Sequence, residues 1–240
     1  MPKAKNPNYL KFILIVFVII FIVLTILAMT SKTPETASDP LADILNEFRA
    51  QPQIETSNLM SFVKKNIITE PTTFKTSPIL GPVDAPVTIF EFSCFGCPAS
   101  RDIQPILKEV LNKYPQDVKL VWKDLPIPDL YPEADLAHLA ARCAQTQGKF
   151  WEYQEKLWQN QADFSLKNLK TLGQDIKLNI PQLTECINNK TFQNLIDADI
   201  GEAAQLSISG TPHFYVNNQE IFGVATLEDF EIVINAELSR

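Results

Sequence analysis

The chain has four cysteines, and two of them stand close enough together to form a redox pair. Cys94 and Cys97 are separated by Phe95 and Gly96, a C-x-x-C spacing that is typical of redox-active thiols in α/β proteins. Such a pair exchanges electrons with other thiols and disulfides through a mixed disulfide. Two alternatives stay open: a permanent structural disulfide, and a zinc site, for which a second close pair of cysteines is missing.

The sequence around the pair predicts a strand, a helix and a second strand. Residues 87–92 (VTIFEF) are β-branched, aromatic and nearly continuous in hydrophobicity, which predicts a central buried strand. A helix is expected to begin at Cys97 and Pro98 and to continue to residue 111, because proline is favoured at the first helical position. Residues 117–122 predict a parallel strand. A thiolate at Cys97 then faces unpaired backbone amides, so Cys97 is the expected attacking thiol.

Cys143 and Cys186 lie on the apolar faces of two further predicted helices. In an oxidising compartment, an even number of cysteines favours a disulfide between them. Two ordinary buried thiols are the alternative.

The predicted elements form one α/β domain over residues 78–240. Residues from about 130 to 208 are helical throughout in their pattern, whereas residues 213–216 and 220–222 read as strands and a closing helix begins at Leu227. Strands at both ends of a helical block predict a single sheet that carries a helical insertion.

The N-terminal part of the chain predicts a membrane anchor. Residues 12–29 are eighteen residues without a charged side chain. This length is at the lower limit for a helix that spans the hydrocarbon layer. Lysines precede this segment, so the positive-inside rule leaves residues 1–11 in the cytoplasm. Residues 30–77 have the composition of a linker and stalk. We expect an uncleaved single-pass signal anchor, with the C-terminal domain extracytoplasmic, in the periplasm or at the cell exterior.

The charge and the glycine content exclude several partners. After residue 30 the chain carries 18 basic and 28 acidic residues, and such a domain repels nucleic acid. With seven glycines the chain has no glycine-rich phosphate motif, so we expect no nucleotide. No other cofactor and no metal is expected.

Several separate motifs resemble those of the bacterial DsbA-like thiol-disulfide oxidoreductases. The resemblance covers about residues 78–238 and implies a thioredoxin fold with an inserted helical domain. It also implies a cis peptide bond between Thr211 and Pro212 that receives the substrate backbone beside the reactive sulfur. The matching motifs are residues 80–88 (LGPVDAPVT), 91–93 (EFS), 97–98 (CP), 141–143 (ARC), 148–153 (GKFWEY) and 210–216 (GTPHFYV).

The sequence departs from this family at the second cysteine. The family usually has an acid six residues before the nucleophile of a Cys-Pro-x-Cys motif, and Glu91 and Cys97 match these two positions. Ser100 stands where the second cysteine is expected, and Cys94 lies on the preceding loop. Because close cysteines in an oxidising space rarely stay unpaired, we expect Cys94 to resolve Cys97 from the opposite side. The alternative is that Cys97 acts as a monothiol.

Five other ionisable residues lie in or next to the predicted strands and helices. Glu91 is a lone carboxylate in a strand expected to be buried and resembles the acid that relays the proton of the buried thiol in thioredoxin-like folds; an exposed position at the sheet edge is the alternative. His213 either stabilises a thiolate or simply begins a strand. His138 lies off the apolar face of its helix and is predicted to be solvated, and Lys123 and Asp124 end a strand without a role.

The sequence therefore predicts a membrane-anchored, extracytoplasmic thiol-disulfide oxidoreductase. Its partners are thiols and disulfides of exported proteins or peptides, and a membrane redox protein that recycles the site. Two alternatives are a monothiol isomerase or glutathione-linked reductase, and a non-catalytic thioredoxin-like binding module with a permanent 94–97 disulfide. The direction of electron flow is left open.

Overall fold

The structure, a computed structural model, describes residues 70–240. The predicted anchor at residues 12–29 and most of the predicted linker lie outside this range. Among the residues that the structure describes, no helix is both long enough and apolar enough to cross a membrane.

A five-stranded mixed sheet has the strand order β1-β3-β2-β4-β5. Its two central strands, β2 and β3, are parallel, and the other neighbours are antiparallel. The predicted α/β architecture is confirmed. The strands are β1 (Ile79–Leu80), β2 (Val87–Ser93), β3 (Val118–Asp124), β4 (His213–Val216) and β5 (Gln219–Phe222).

The register of β2 and β3 decides which side chains meet at the edge of the sheet. Both strands are buried along nearly their whole length, as expected for parallel strands covered on both faces. Ser93 pairs with Asp124, so the two strands end level with each other. The residue that follows Ser93 is Cys94, which places the first cysteine next to the end of β3.

Eight helices surround the sheet in the described range, and five of them, α3 to α7, lie between β3 and β4 in the chain. These five form the helical insertion. The helices are α1 (Pro98–Asp102), α2 (Gln104–Lys113), α3 (Ala134–Gln145), α4 (Phe150–Gln159), α5 (Leu166–Asp175), α6 (Ile180–Asn188), α7 (Gln193–Gln205) and α8 (Leu227–Leu238).

The helix expected from Cys97 to residue 111 is divided in two at Ile103. Pro105 has no backbone N–H, so it cannot continue the hydrogen-bond ladder of α1. The ladder begins again beyond it, where the N–H groups of Ile106 and Leu107 both donate to the carbonyl of Ile103. The apolar face nevertheless continues across the break, because Ile103, Leu107 and Val110 are all buried.

Three apolar clusters hold these layers together. One lies between the sheet and helices α2 and α8, and a smaller one lies on the opposite face, where Ala203 of α7 packs near Phe90 and Phe92. The third is the core of the insertion itself, and it includes Phe95 from the C-x-x-C loop. The insertion therefore packs directly against the redox loop.

A disulfide joins two helices of the insertion. Cys143 of α3 and Cys186 of α6 are bonded with an S–S distance of 1.99 Å and a Cα–Cα distance of 5.9 Å. This is the pairing expected from the sequence.

Candidate redox site

Cys97 is the N-terminal cap of α1, and Pro98 is the first residue of that helix. Its side chain is partly exposed, and its thiol donates to the carbonyl of Thr211 at 3.5 Å. The peptide bond between Thr211 and Pro212 is cis. The structure therefore brings together the exposed sulfur, a helix N-terminus and the cis-proline loop.

Cys94 is fully buried on the loop between β2 and α1. Its carbonyl accepts from the N–H of Cys97 at 3.0 Å, and its own N–H donates to Ser100 Oγ at 3.5 Å. Burial raises the pKa of the Cys94 thiol, but a hydrogen bond and charge from His138, with backbone hydrogen bonds from Ile127 and Gly96, outweigh it and lower that pKa. Cys94 and Cys97 are both free thiols in the structure.

The prediction that His138 is solvated is wrong. The residue is fully buried, because α3 is covered on all sides rather than on one face. Its Nδ1 lies 2.6 Å from Asp124 Oδ1, and its Nε2 accepts from the N–H of Phe95 at 3.3 Å. Burial lowers the pKa of His138, but hydrogen bonds to Asp124 and Cys94 raise it overall to about 9.

The prediction that Asp124 has no role is also wrong. The carboxylate is fully buried at the end of β3, and it accepts from Trp122 Nε1 at 2.7 Å besides its contact with His138. Arg142 forms an ion pair with its second oxygen. Burial alone would raise the pKa of Asp124, but the charge of Arg142 and the hydrogen bond of His138 hold that pKa well below its usual range.

Lys123 is buried as well, although it too was predicted to need no role. Its Nζ lies 3.1 Å from Asp199 Oδ1 and 2.6 Å from Glu202 Oε2, both on α7. Arg142 Nη2 lies 2.7 Å from Asp199 Oδ2. Burial and the nearby Asp124 raise the pKa of Asp199 to about 6, against the charges of Lys123 and Arg142.

These contacts make one buried charge cluster beneath the redox loop, with three acids and three bases from β3, α3 and α7. Charges of opposite sign in a buried site attract one another, which offsets part of the cost of their desolvation. The sheet, the insertion and the site are thereby fixed to one another. The cluster consists of Lys123, Asp124, His138, Arg142, Asp199 and Glu202.

Glu91 is fully buried in β2, as the sequence predicts. Gln104 Nε2 donates both to Glu91 Oε1 and to the carbonyl of Ser100, each at 2.8 Å. Burial raises the pKa of Glu91 to about 7, against hydrogen bonds from Gln104 and Ser93. The polar contacts of this carboxyl therefore lie on the Ser100 side of α1.

The two residues between the cysteines are held from the insertion side. Phe95 is fully buried, and its ring centroid is 4.7 Å from those of Trp122 and His138. A Cβ at Gly96 would lie 2.5 Å from the Cβ of Tyr131. Both positions are therefore closed to larger side chains.

Gln161 fixes the backbone of the same loop. Its Nε2 donates to the carbonyls of Phe95 at 2.7 Å and of Cys97 at 2.9 Å. Tyr131, which covers Gly96, also forms a hydrogen bond with Cys97, and the pKa of Tyr131 is raised by partial burial and by that neighbour.

Gln161 and Tyr131 carried no signal in the sequence, because their contacts arise only after the insertion has packed on the loop. His138 and Arg142 did carry one. They stand four residues apart on a helix with five alanines, and a helix that is apolar on all sides is buried, so that its polar residues must be paired.

His213 contacts the adjacent strand. It is buried next to Pro212, and its Nε2 lies 2.9 Å from Glu220 Oε1. Burial lowers the pKa of His213, against the charge of Glu220. Its position at the start of β4 fits the strand interpretation.

The geometry combines an accessible thiol and a buried thiol three residues apart, beside a helix N-terminus. A protein-family model described as thioredoxin matches residues 73–236, which is more than half of the chain. Disulfide bond formation protein D of Bacillus subtilis is 29% identical over 177 residues, which cover 68% of this chain and 78% of that protein.

One solved structure and one further relative are similar to this chain over different shares of their own length. The crystal structure of oxidised BdbD from Bacillus subtilis superposes with a TM-score of 0.66 at 26% identity, over 71% of this chain and 97% of that one. The Na(+)/H(+) antiporter NhaA 3 of Salinispora tropica is 33% identical over 150 residues, which cover 62% of this chain but 23% of the antiporter. The chain thus spans about a quarter of that relative. The chain belongs to the thioredoxin family.

Proposed function

We propose that the protein exchanges thiols and disulfides of exported proteins through the Cys94 and Cys97 pair. The observation that carries the proposal is the contrast between the two thiols. Cys97 is partly exposed at the N-terminus of α1, beside the carbonyl of Thr211, whereas Cys94 is buried and hydrogen-bonded to His138. An exposed sulfur suits attack on a large substrate, and a buried one suits resolution.

In the reducing direction, the Cys97 thiolate attacks a substrate disulfide. One substrate sulfur forms a mixed disulfide with Cys97, and the other leaves as a thiolate and takes up a proton. The Cys94 thiolate then attacks Cys97 Sγ, the mixed disulfide breaks, and the second substrate thiolate leaves. The substrate gains two electrons and the 94–97 pair loses them. Oxidation of a substrate follows the same steps in reverse.

Thr211 and Pro212 are proposed to receive the substrate backbone. Support comes from the 3.5 Å contact between Cys97 Sγ and the carbonyl of Thr211, since a chain bonded to Cys97 must pass this loop. Glu91 is proposed as a proton relay of the site, because a buried carboxyl with a pKa of about 7 can both take up and release a proton near neutral pH.

The cellular setting is proposed from the sequence and from the relatives. The uncharged segment at residues 12–29 favours a single-pass anchor with the domain extracytoplasmic, and a disulfide in the insertion suits such a compartment. The name of the Bacillus subtilis relative refers to disulfide bond formation, which favours exported proteins as substrates. A redox protein in the same membrane would recycle the pair.

The roles of the two thiols are tested with single serine variants in an insulin reduction assay. Cys97→Ser should abolish the reduction, because the attacking sulfur is lost. Cys94→Ser should accumulate mixed disulfides on Cys97, because the resolving sulfur is lost. Ser100→Ala is the matched control: it changes the position where the family has its second cysteine, and it should keep both steps.

Other results would contradict the assignment. If Cys94→Ser fails to form mixed disulfides while Cys97→Ser still forms them, Cys94 attacks and Cys97 resolves. A 94–97 disulfide with a reduction potential below about −300 mV would indicate a structural bridge and a binding module. The absence of any 94–97 disulfide would indicate a monothiol enzyme.

A further inference from the structure

The buried thiol Cys94 is the first member of a chain of three hydrogen-bonded side chains. His138 forms a side-chain hydrogen bond with Cys94, and its other ring nitrogen, Nδ1, lies 2.6 Å from Asp124 Oδ1. All three side chains are fully buried. Because Nδ1 faces a carboxylate, Nε2 is the nitrogen that faces the redox loop, where it accepts from the N–H of Phe95 at 3.3 Å until it takes up the thiol proton.

The other contacts of Asp124 fix its carboxylate beside His138. Its Oδ1 also accepts from Trp122 Nε1 at 2.7 Å, and its Oδ2 is paired with Arg142. A carboxylate with these partners stays ionised, and it stabilises an imidazolium next to it. The arrangement of thiol, imidazole and carboxylate is the one by which a base activates a sulfur nucleophile.

Glu91 has different contacts from those that a base for Cys94 needs. Its hydrogen bonds come from Gln104 and Ser93, and Gln104 also binds the carbonyl of Ser100. Ser100 occupies the position of the second cysteine in the Cys-Pro-x-Cys pattern. In this chain the second cysteine is Cys94, three residues before Cys97, and His138 contacts its side chain.

We propose that His138, oriented by Asp124, takes the proton of Cys94 and holds the resulting thiolate, so that Cys94 can resolve the mixed disulfide on Cys97. The inference deepens the proposed function, since it rests on Cys94 as the resolving thiol. His138 is the catalytic base, and Asp124 is a positioning residue.

The proton and electron balance of this step is simple. The thiol proton passes from Cys94 Sγ to His138 Nε2, which gives a thiolate and an imidazolium. The thiolate forms a bond with Cys97 Sγ, and the bond from Cys97 to the substrate sulfur breaks. The departing substrate thiolate then takes up the proton that His138 holds, directly or through solvent, and the imidazole is neutral again.

The charged groups around His138 support the imidazolium. Asp124 faces it from β3, and Cys94 faces it from the redox loop. Arg142 of its own helix is paired with Asp124 and with Asp199 of α7. Lys123 is paired with Asp199 and Glu202. With His138 protonated, the buried charge cluster has three positive and three negative groups.

The test is a titration of Cys94 that needs no turnover. With Cys143 and Cys186 bonded, the Cys97→Ala variant has Cys94 as its one remaining thiol, because the chain has four cysteines. Thiolate absorbance at 240 nm is followed against pH in this variant, with and without His138→Gln. We expect the midpoint to move up by about one pH unit or more, because burial then acts without the imidazolium.

Two further substitutions define the source of the shift. Asp124→Asn should raise the midpoint in the same direction, since the amide no longer stabilises an imidazolium. His213→Gln is the matched control, because the chain has two histidines and His213 contacts Glu220 instead. It should leave the midpoint unchanged.

A measurement without any change at His138 covers the case in which that variant does not fold. The imidazole of His138 is titrated by NMR in Cys97→Ala and in the Cys94→Ala/Cys97→Ala double variant. Loss of the thiolate partner should lower the pKa of His138.

The results separate the inference from the proposed function. Equal Cys94 midpoints with and without His138→Gln, or an unchanged His138 midpoint after loss of Cys94, would overturn the inference. Failure of the full chain to reduce insulin would contradict the proposed function. It would leave the titration result standing.

Discussion

Loss of the disulfide between Cys143 and Cys186 should lower the free energy of unfolding by about 4 kcal/mol. The bonded cysteines are 43 positions apart, so the bond closes a loop of 44 residues. In the chain-entropy model, a crosslink over a loop of this length restricts the unfolded chain by about 4 kcal/mol at 25 °C. For a domain of this size, the same loss corresponds to a decrease in Tm of roughly 8 to 16 °C.

The assay is urea unfolding of Cys143→Ala, Cys186→Ala and the double variant, followed by tryptophan fluorescence. Alanine is preferable to serine, because Cys143 is buried and a hydroxyl there would add a desolvation cost. Trp122 and Trp158 belong to the core of the insertion and report on it directly. Addition of dithiothreitol should bring the wild-type protein to the stability of the variants and leave the double variant unchanged.

The double variant decides whether the reasoning holds. If the two cysteines are bonded to each other, either substitution opens the same loop, and the double variant loses no more than one of the singles. If the double variant loses about twice the unfolding free energy that a single variant loses, the two cysteines are not bonded to each other.

Two further predictions concern the interior of the site. Burial raises the pKa of Glu91 from 4.5 to about 7, so the folded state binds the proton more tightly and stability falls as the pH rises through this interval. The unfolding free energy of Glu91→Gln should therefore match that of the wild type below pH 4.5 and exceed it by about 3 kcal/mol above pH 7. The same variant should slow thiol exchange. An unchanged exchange rate from pH 6 to 9 would make Glu91 purely structural. Gly96→Ala should lower the unfolding free energy by about 1 to 3 kcal/mol, since its Cβ meets Tyr131, whereas Gly201→Ala in α7 meets no atom within 4 Å and should be neutral or stabilising in the same denaturation assay.

The sequence was sufficient for the elements with a clear local pattern. The strand over residues 87–92, the strand at His213–Val216 and the helix from Leu227 were predicted close to their observed bounds, since hydrophobic period and capping residues are local properties. Glu91 was predicted to be buried for the same reason, as a lone carboxylate in an apolar strand.

The contacts around Cys94 could not be predicted from local sequence patterns. The nearness of Asp124 depends on the register that pairs it with Ser93, and register is a relation between two distant segments. The prediction for His138 was wrong because one buried face was expected for its helix, whereas α3 is buried on all sides.

The closed environment of Phe95 and Gly96 has a consequence for how this protein can adapt. Both positions between the cysteines are closely packed, so a larger side chain there lowers the stability of the fold in addition to any change in redox behaviour. Variation must enter through residues that touch the sulfurs from elsewhere in the chain, such as Tyr131 beside Cys97 and His138 beside Cys94. A directed-evolution library aimed at a new substrate preference or potential should therefore randomise these two positions and leave the loop between the cysteines intact.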